Sequence, residues 1–231
     1  MRVRRLKSWL TLRRAFDSIV SSFEELAGTA LLTLHMEIRS RIVYSLHTAL
    51  SPKVAPYLLD QEVREPDPQI LSLNSELIIF DETITRFLRD REVAFVRTGL
   101  GLLINCYLVG NAWMASPMNG NGSGRMQLNI LVLQQNLKNI EEGVNLARAS
   151  NYFSLFDKGT DAIIEKAKQD KEAQAGGDPN DPDHFSYDEL KGLVELCHSE
   201  QLAHPERGIA TAARRRMDDR LVELSENSLH L

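Results

Sequence analysis

Apolar residues return every three or four positions along most of the chain, the period of an α-helix. No run shows the period of two expected of a half-buried strand. From about residue 4 to residue 50 the helical pattern is unbroken. Leu31, Leu34, Ile38 and Ile42 make one apolar stripe, and Leu32, Met36, Val43, Leu46 and Leu50 make a second. Two stripes predict a helix buried on more than one side. Ser51-Pro52 and Pro56 stop it, because proline cannot continue the hydrogen-bond ladder. Asp67-Pro68 opens the next helix: the Asp side chain can accept from a free backbone N–H, and Pro at the first helical position gives up no bond. Ile70, Leu73, Leu77, Phe80, Ile84 and Phe87 then follow at the spacing of a packing seam.

Thr98 to Met114 carries no charged residue, but it contains Asn105, Asn111 and three glycines and falls short of the roughly 20 apolar residues of a membrane span. The pattern predicts a central helix surrounded by others. Residues 115–124 read as a Pro/Gly/Asn connector. A third strong helix is expected from near Arg125, with Met126, Ile130, Leu133, Leu137, Ile140 and Val144 as its seam and Leu128 and Leu131 as a second contact face. Helix is expected to continue over 145–174, with Tyr152, Phe153 and Phe156 as core aromatics. Residues 175–185 form a Gly/Pro/Asp linker. Ser186 and Glu189 make a capping box, opening a helix with Leu190, Leu193, Val194 and Cys197. Pro205 precedes a last helix with Ile209, Met217, Leu221 and Leu224. The expected division is therefore a helical bundle over 1–174, a linker over 175–185 and a terminal helical pair over 186–231, all of it α and none of it sheet.

A hydrophobic share of 43% is ordinary for a globular chain and too high for a disordered one. The two cysteines, Cys106 and Cys197, sit in apolar helical patterns and are expected to be buried thiols rather than part of a disulfide framework. The net charge of -5 is uneven. Arg2, Arg4, Arg5, Lys7, Arg13 and Arg14 make the start basic, with no acid before Asp17, and the acidic bulk beyond argues against nucleic-acid binding. An arginine-rich start also fits a mitochondrial presequence. It runs without a break into the following helix, however, and reads better as a basic helix face. No apolar core of secretory-signal length follows the basic residues.

The chemistry-bearing residues are scattered. No two of His35, His47, His184, His198, His204 and His230 lie at i, i+4, and Cys197-His198 is an adjacent pair whose side chains diverge, so a zinc site is not expected. Gly120, Gly122 and Gly124 precede a helix but lack the strand and the Lys-Ser/Thr of a phosphate loop. Asp178, Asn180, Asp181 and Asp183 lack the glycine and glutamate register of a calcium loop. There is no Gly-x-Ser-x-Gly elbow. Arg214, Arg215 and Arg216 are offset at once by Asp218 and Asp219. The expectation is no catalytic residue, no cofactor and no metal. An enzyme would need a site these patterns do not reveal.

The run Asn129, Ile130, Leu131, Val132, Leu133, Gln134, Gln135, Asn136, Leu137 resembles a segment of the exocyst complex component four family, in its C-terminal part and in the style of fungal members. The order of the neighbours supports it: Gly99–Ile104 before the run, Leu31–Leu50 and Leu71–Asp81 further upstream, Leu146–Phe156 and Tyr187–Ser199 after it. The resemblance covers about residues 25–200. It implies a rod of consecutive antiparallel helical bundles, as in vesicle-tethering complexes, without catalytic activity or cofactor, and a structural role for residues 129–137. The implied partners are the other exocyst subunits. Association with the plasma membrane and secretory vesicles would be peripheral and through the complex, from the cytoplasm at sites of polarised secretion. Full family members are several times longer and begin with coiled-coil helices, so the chain is expected to be a fragment. The alternative is a stand-alone helical adaptor bound to anionic membrane through Arg2–Arg14, at about 1 kcal/mol per basic residue.

Overall fold

The computed structural model describes residues 2–51, 53, 57–173 and 184–228, of which 2–11 by backbone alone. Among these residues the helices are α1 (Arg2–Leu50), α2 (Pro68–Phe87), α3 (Asp90–Arg97), α4 (Leu100–Gly110), α5 (Gly120–Leu137), α6 (Ala147–Lys158), α7 (Thr160–Ala173), α8 (Tyr187–Leu202) and α9 (Arg207–Asn227), with a 3-10 turn at Ala112–Ala115. The described residues contain no strand, only an isolated bridge between Tyr57 and Met118. The fold is an all-α helical bundle.

The C-terminal half of α1 is the spine. Ile38, Ile42, Leu46, Ala49 and Leu50 are buried where α2, α3 and α4 pack on it. Leu32 and Met36, expected in a buried stripe, are each 54% exposed, because the neighbours cover one side of α1 at that level. The α2 seam behaves as its spacing predicts through Ile70, Leu73, Leu77 and Ile84, then ends early: Phe87 is exposed. Asp67 caps α2, its Oδ1 accepting from the Gln69 N–H at 2.7 Å.

The charge-free run forms one helix as expected, α4, followed by the 3-10 turn, but among the described residues other helices do not surround it. Although residues 90–110 have the length and composition to cross a membrane, the chain breaks at Gly99 in the left-handed conformation (φ +81°) and restarts as α4. The Glu141 carboxylate accepts from the Gly99 and Gly101 N–H groups and so caps the new helix with a negative charge, which favours the positive end of its dipole. Ile104, Leu108 and Val109 are buried, whereas Leu102 and Cys106 face outward. Cys106 is therefore a surface thiol, contrary to expectation. Among the described residues nothing covers that side of α4.

The expected connector over 115–124 is shorter, since α5 starts at Gly120. Asn119 Oδ1 accepts from Gly122 N–H at 3.0 Å, and the Asn119 and Asn121 side-chain amides donate to the Leu59 carbonyl. A Cβ on Gly122 would lie 1.8 Å from the Tyr57 carbonyl oxygen. The glycine permits a close crossing rather than a flexible loop. Nor is 145–174 one helix: α5 ends at Leu137, a turn follows, and Gly159 at φ +84° separates α6 from α7.

Ser186 and Glu189 form the expected capping box of α8. The last two helices pack on each other, and α8 also meets α6, α7 and the 3-10 turn. Tyr152 donates to the Glu189 carbonyl at 2.7 Å, and Arg148 pairs with the Glu189 carboxylate at 2.8 Å. Residues 175–183 of the expected linker, together with Pro52 and Pro56, lie outside the described residues.

Candidate interaction surface

Residues 129–137 form the second half of α5, and the helix sorts them by face. Asn129, Ile130, Leu133 and Leu137 are buried, Leu131 and Gln135 are exposed, and Val132, Gln134 and Asn136 lie between. Leu133 and Leu137, fully buried, stand where the apolar spacing places them. Three of the polar members, Asn129, Gln134 and Asn136, bond to neighbouring segments. Asn129 Oδ1 accepts from the Asp67 N–H at 2.8 Å, Gln134 donates to the Val144 carbonyl at 2.9 Å and also accepts from the Leu146 N–H, and Asn136 donates to Asn74 Oδ1 at 3.1 Å. Each of these side chains thus anchors a different neighbour: the start of α2, the turn after α5, and the middle of α2. A buried polar group with its bonds made fixes one arrangement, because misplacing it leaves an amide unpaired.

Beneath Asn129 lies a buried polar cluster. Arg125 Nη2 is 3.3 Å from Asp67 Oδ2, and the Asn129 amide donates to Tyr57 Oη at 3.5 Å, which itself donates to the Ala49 carbonyl. Burial foremost, and then the Asp67 charge, raise the Tyr57 hydroxyl well above the ordinary tyrosine value, so it stays protonated and a donor. On the far side, Arg39 of α1 donates to the carbonyls of His35, Val96 and Thr98, closing the C-terminal end of α3. His35 stacks on Phe95 with centroids 4.6 Å apart. Leu31, one turn before it, is the last described side chain of α1 that packs against the core.

Before it, the described side chains of α1, from Leu12 to Ala30, are uncovered. Leu12, Phe16, Ile19, Phe23 and Leu26 are between 56% and 68% exposed. They recur at spacings of four, three, four and three, and with Ala30 make a single seam of coiled-coil type. The stripes evident in the sequence begin at Leu31. The spacing from Leu12 to Ala30 was the available signal for this earlier face. A second apolar depression, of about 1010 Å³, runs along α5 past Leu128, Leu131, Gln134, Lys138 and Val144. Leu131, expected in a contact face, is open to solvent within it.

Among the described residues no three His, Cys, Asp or Glu side chains come together as metal ligands. Cys197 and His198 border a polar cleft with Thr160, Arg216 and Arg220. Burial, then the Asp157 charge, push the Cys197 thiol up to about 12, which disfavours the thiolate. Burial and then the two arginines lower His198 below the ordinary histidine value. The pair thus offers neither an activated nucleophile nor a protonated partner for one.

No family model matches the chain. Among curated proteins it is similar to the probable exocyst complex component sec8 of Neurospora crassa, 61% identical over an aligned length of 240, covering 91% of this chain and 22% of the relative. The chain belongs to the exocyst component 4 (Sec8) family. Exocyst complex component 4 of Homo sapiens is 26% identical over 155 residues, covering 66% of this chain and 16% of the relative. The Schizosaccharomyces pombe exocyst complex component sec8 is 26% identical over 157 residues, covering 67% and 14%. The chain thus spans between about a seventh and about a fifth of the length of these Sec8 relatives. Within this Sec8-family segment, residues 129–137 are the hub where α2, α5 and the turn before α6 are pinned together.

Proposed function

We propose that the chain is a scaffolding segment of an exocyst subunit, which takes part in tethering and docking post-Golgi secretory vesicles at the plasma membrane during exocytosis. The identity of 61% across nine-tenths of the chain carries this reading. Its partners are the other exocyst subunits, with no nucleic acid among them. It works in the cytoplasm at sites of polarised secretion, and its contact with membranes is peripheral, through the complex. The arrangement of side chains supports a structural role over a catalytic one. The buried polar groups at residues 129–137 are used up holding helices together, and Cys197 is held as a thiol. In this role residues 1–174 and 186–231 are two helical units joined through 175–185.

The test is to tag the gene at its own locus and isolate the whole protein from its own cells, with the associated proteins identified by mass spectrometry. Recovery of several exocyst subunits in near-equal amounts is expected, with loss of secretion at growth sites on depletion. Isolation of the intact protein without any of them overturns the proposal.

A further inference from the structure

Glu189 belongs at once to the first turn of α8 and to the contact of α8 with α6. Its carboxylate closes the capping box: Oε2 accepts from the Ser186 N–H at 2.8 Å, while Ser186 Oγ accepts from the Glu189 N–H at 3.3 Å. The same carboxylate is bound from α6, where Arg148 Nη2 donates to Oε1 at 3.0 Å and to Oε2 at 2.8 Å. The Glu189 carbonyl accepts from Tyr152 Oη, one turn further along α6, at 2.7 Å. Burial foremost, then the Glu189 charge, raise the Tyr152 hydroxyl above the ordinary tyrosine value, so it stays a donor.

The residues just before the cap converge on the same two α6 side chains. Arg148 also donates to the His184 carbonyl at 3.4 Å and lies over the Phe185 ring, 5.3 Å from its centroid. The Phe185 ring meets that of Tyr152 edge-on, with centroids 5.4 Å apart. Both rings are buried, and the Arg148 and Glu189 side chains are only 21% and 20% exposed.

Starting a helix is its costly step, because the first turn fixes several residues for one hydrogen bond. A carboxylate already held by a guanidinium is in place before the turn closes. The closed turn, in return, holds that carboxylate where Arg148 meets it. Contacts that share one group in this way are coupled, so neither keeps its full strength when the other is lost. We propose that Glu189 is a clasp that makes the first turns of α8, residues 186–193, conditional on α6. The segment is helical while Arg148 and Tyr152 engage it, and without them it opens as one unit ahead of the core.

Hydrogen exchange on the full chain, read by mass spectrometry, tests the clasp. Arg148→Met and Tyr152→Phe change α6 alone and keep most of the packing volume. Each should speed exchange of the amides of residues 190–193 about tenfold or more and leave those of α2 and α5 unchanged. Unchanged exchange in both variants overturns the proposal, and so does an equal rise throughout the chain. Tyr152→Phe loses one hydrogen bond and keeps the ring, so it reports even where the arginine variant does not fold. Charge exchange, Arg148→Glu with Glu189→Arg, separates a clasp from a simple ion pair. It restores opposite charges, but a guanidinium has no acceptor for the Ser186 N–H. Exchange should stay fast in that chain, and a return to the original protection overturns the proposal. Ser186→Ala combined with Arg148→Met should give less than the product of the two separate accelerations. The full product would mean that cap and contact are independent, and would overturn it too.

Discussion

The two halves of α1 carry the same kind of sequence and meet opposite fates. In one, Ile38, Ile42, Leu46 and Leu50 are sealed beneath α2, α3 and α4; in the other, Leu12, Phe16, Ile19, Phe23 and Leu26 stand in water. Both are helical by the same local rules, and in both the apolar residues recur every three or four positions. What differs is only whether this chain supplies the covering helices. Periodicity therefore reports that a face is built to be covered, and is silent on what covers it. The same contrast recurs inside α5, where Leu133 is fully buried and Leu131 opens into a groove.

The sharpest way to break this comparison is one substitution made twice in the same helix. Leu46→Ala should destabilise by about 2–5 kcal/mol, because it leaves a cavity in a packed core. Leu26→Ala should change stability by less than about 0.5 kcal/mol, since leucine and alanine are both good helix formers in solvent. Urea denaturation measures both. A large loss at Leu26 would mean that the free half is covered in solution. The next pair transfers the test to residues 129–137. Leu133→Ala should cost about 2–5 kcal/mol and Leu131→Ala well under 1 kcal/mol, and a loss at Leu133 below about 1 kcal/mol would show that the seam is misplaced.

Smaller effects sharpen the picture. Ser186→Ala removes the side-chain half of the α8 capping box and should cost about 1 kcal/mol, read from the same denaturation curves. The smallest effect concerns His198, whose folded pKa lies below its ordinary value. The unfolded chain binds that proton more readily, so stability present above the ordinary histidine value falls as pH drops through it towards the folded one. The melting temperature should decline over that window. In His198→Gln, which cannot titrate, this part of the decline should be missing; an identical pH profile would show that His198 is not its source.

Much of the fold was legible in local chemistry. Asp67-Pro68 and Ser186-x-x-Glu189 mark helix starts because capping is settled within four residues. Residues 129–137 could be read as a helix with Leu133 and Leu137 inward, since their spacing alone fixes the face. The long helix expected over 145–174 was broken instead at Gly159, and Gly99 separates α3 from α4, where Glu141 from a distant turn caps α4. A glycine in a helical pattern is locally tolerable, and only a tertiary contact decides whether the chain continues or turns. Cys106 was misjudged for a related reason: an apolar context does not say which helix face is left bare.

By itself, then, the sequence determined that this protein is helical, where several of its helices begin, which positions seek burial, and the family it resembles, because these follow from short-range periodicity, capping and local identity. Only the tertiary structure decided which apolar faces are satisfied within the chain and which are not. Burial depends on neighbours remote in sequence, and among the described residues those neighbours reach α1 only as far as Leu31, leaving Leu12 to Leu26 without cover.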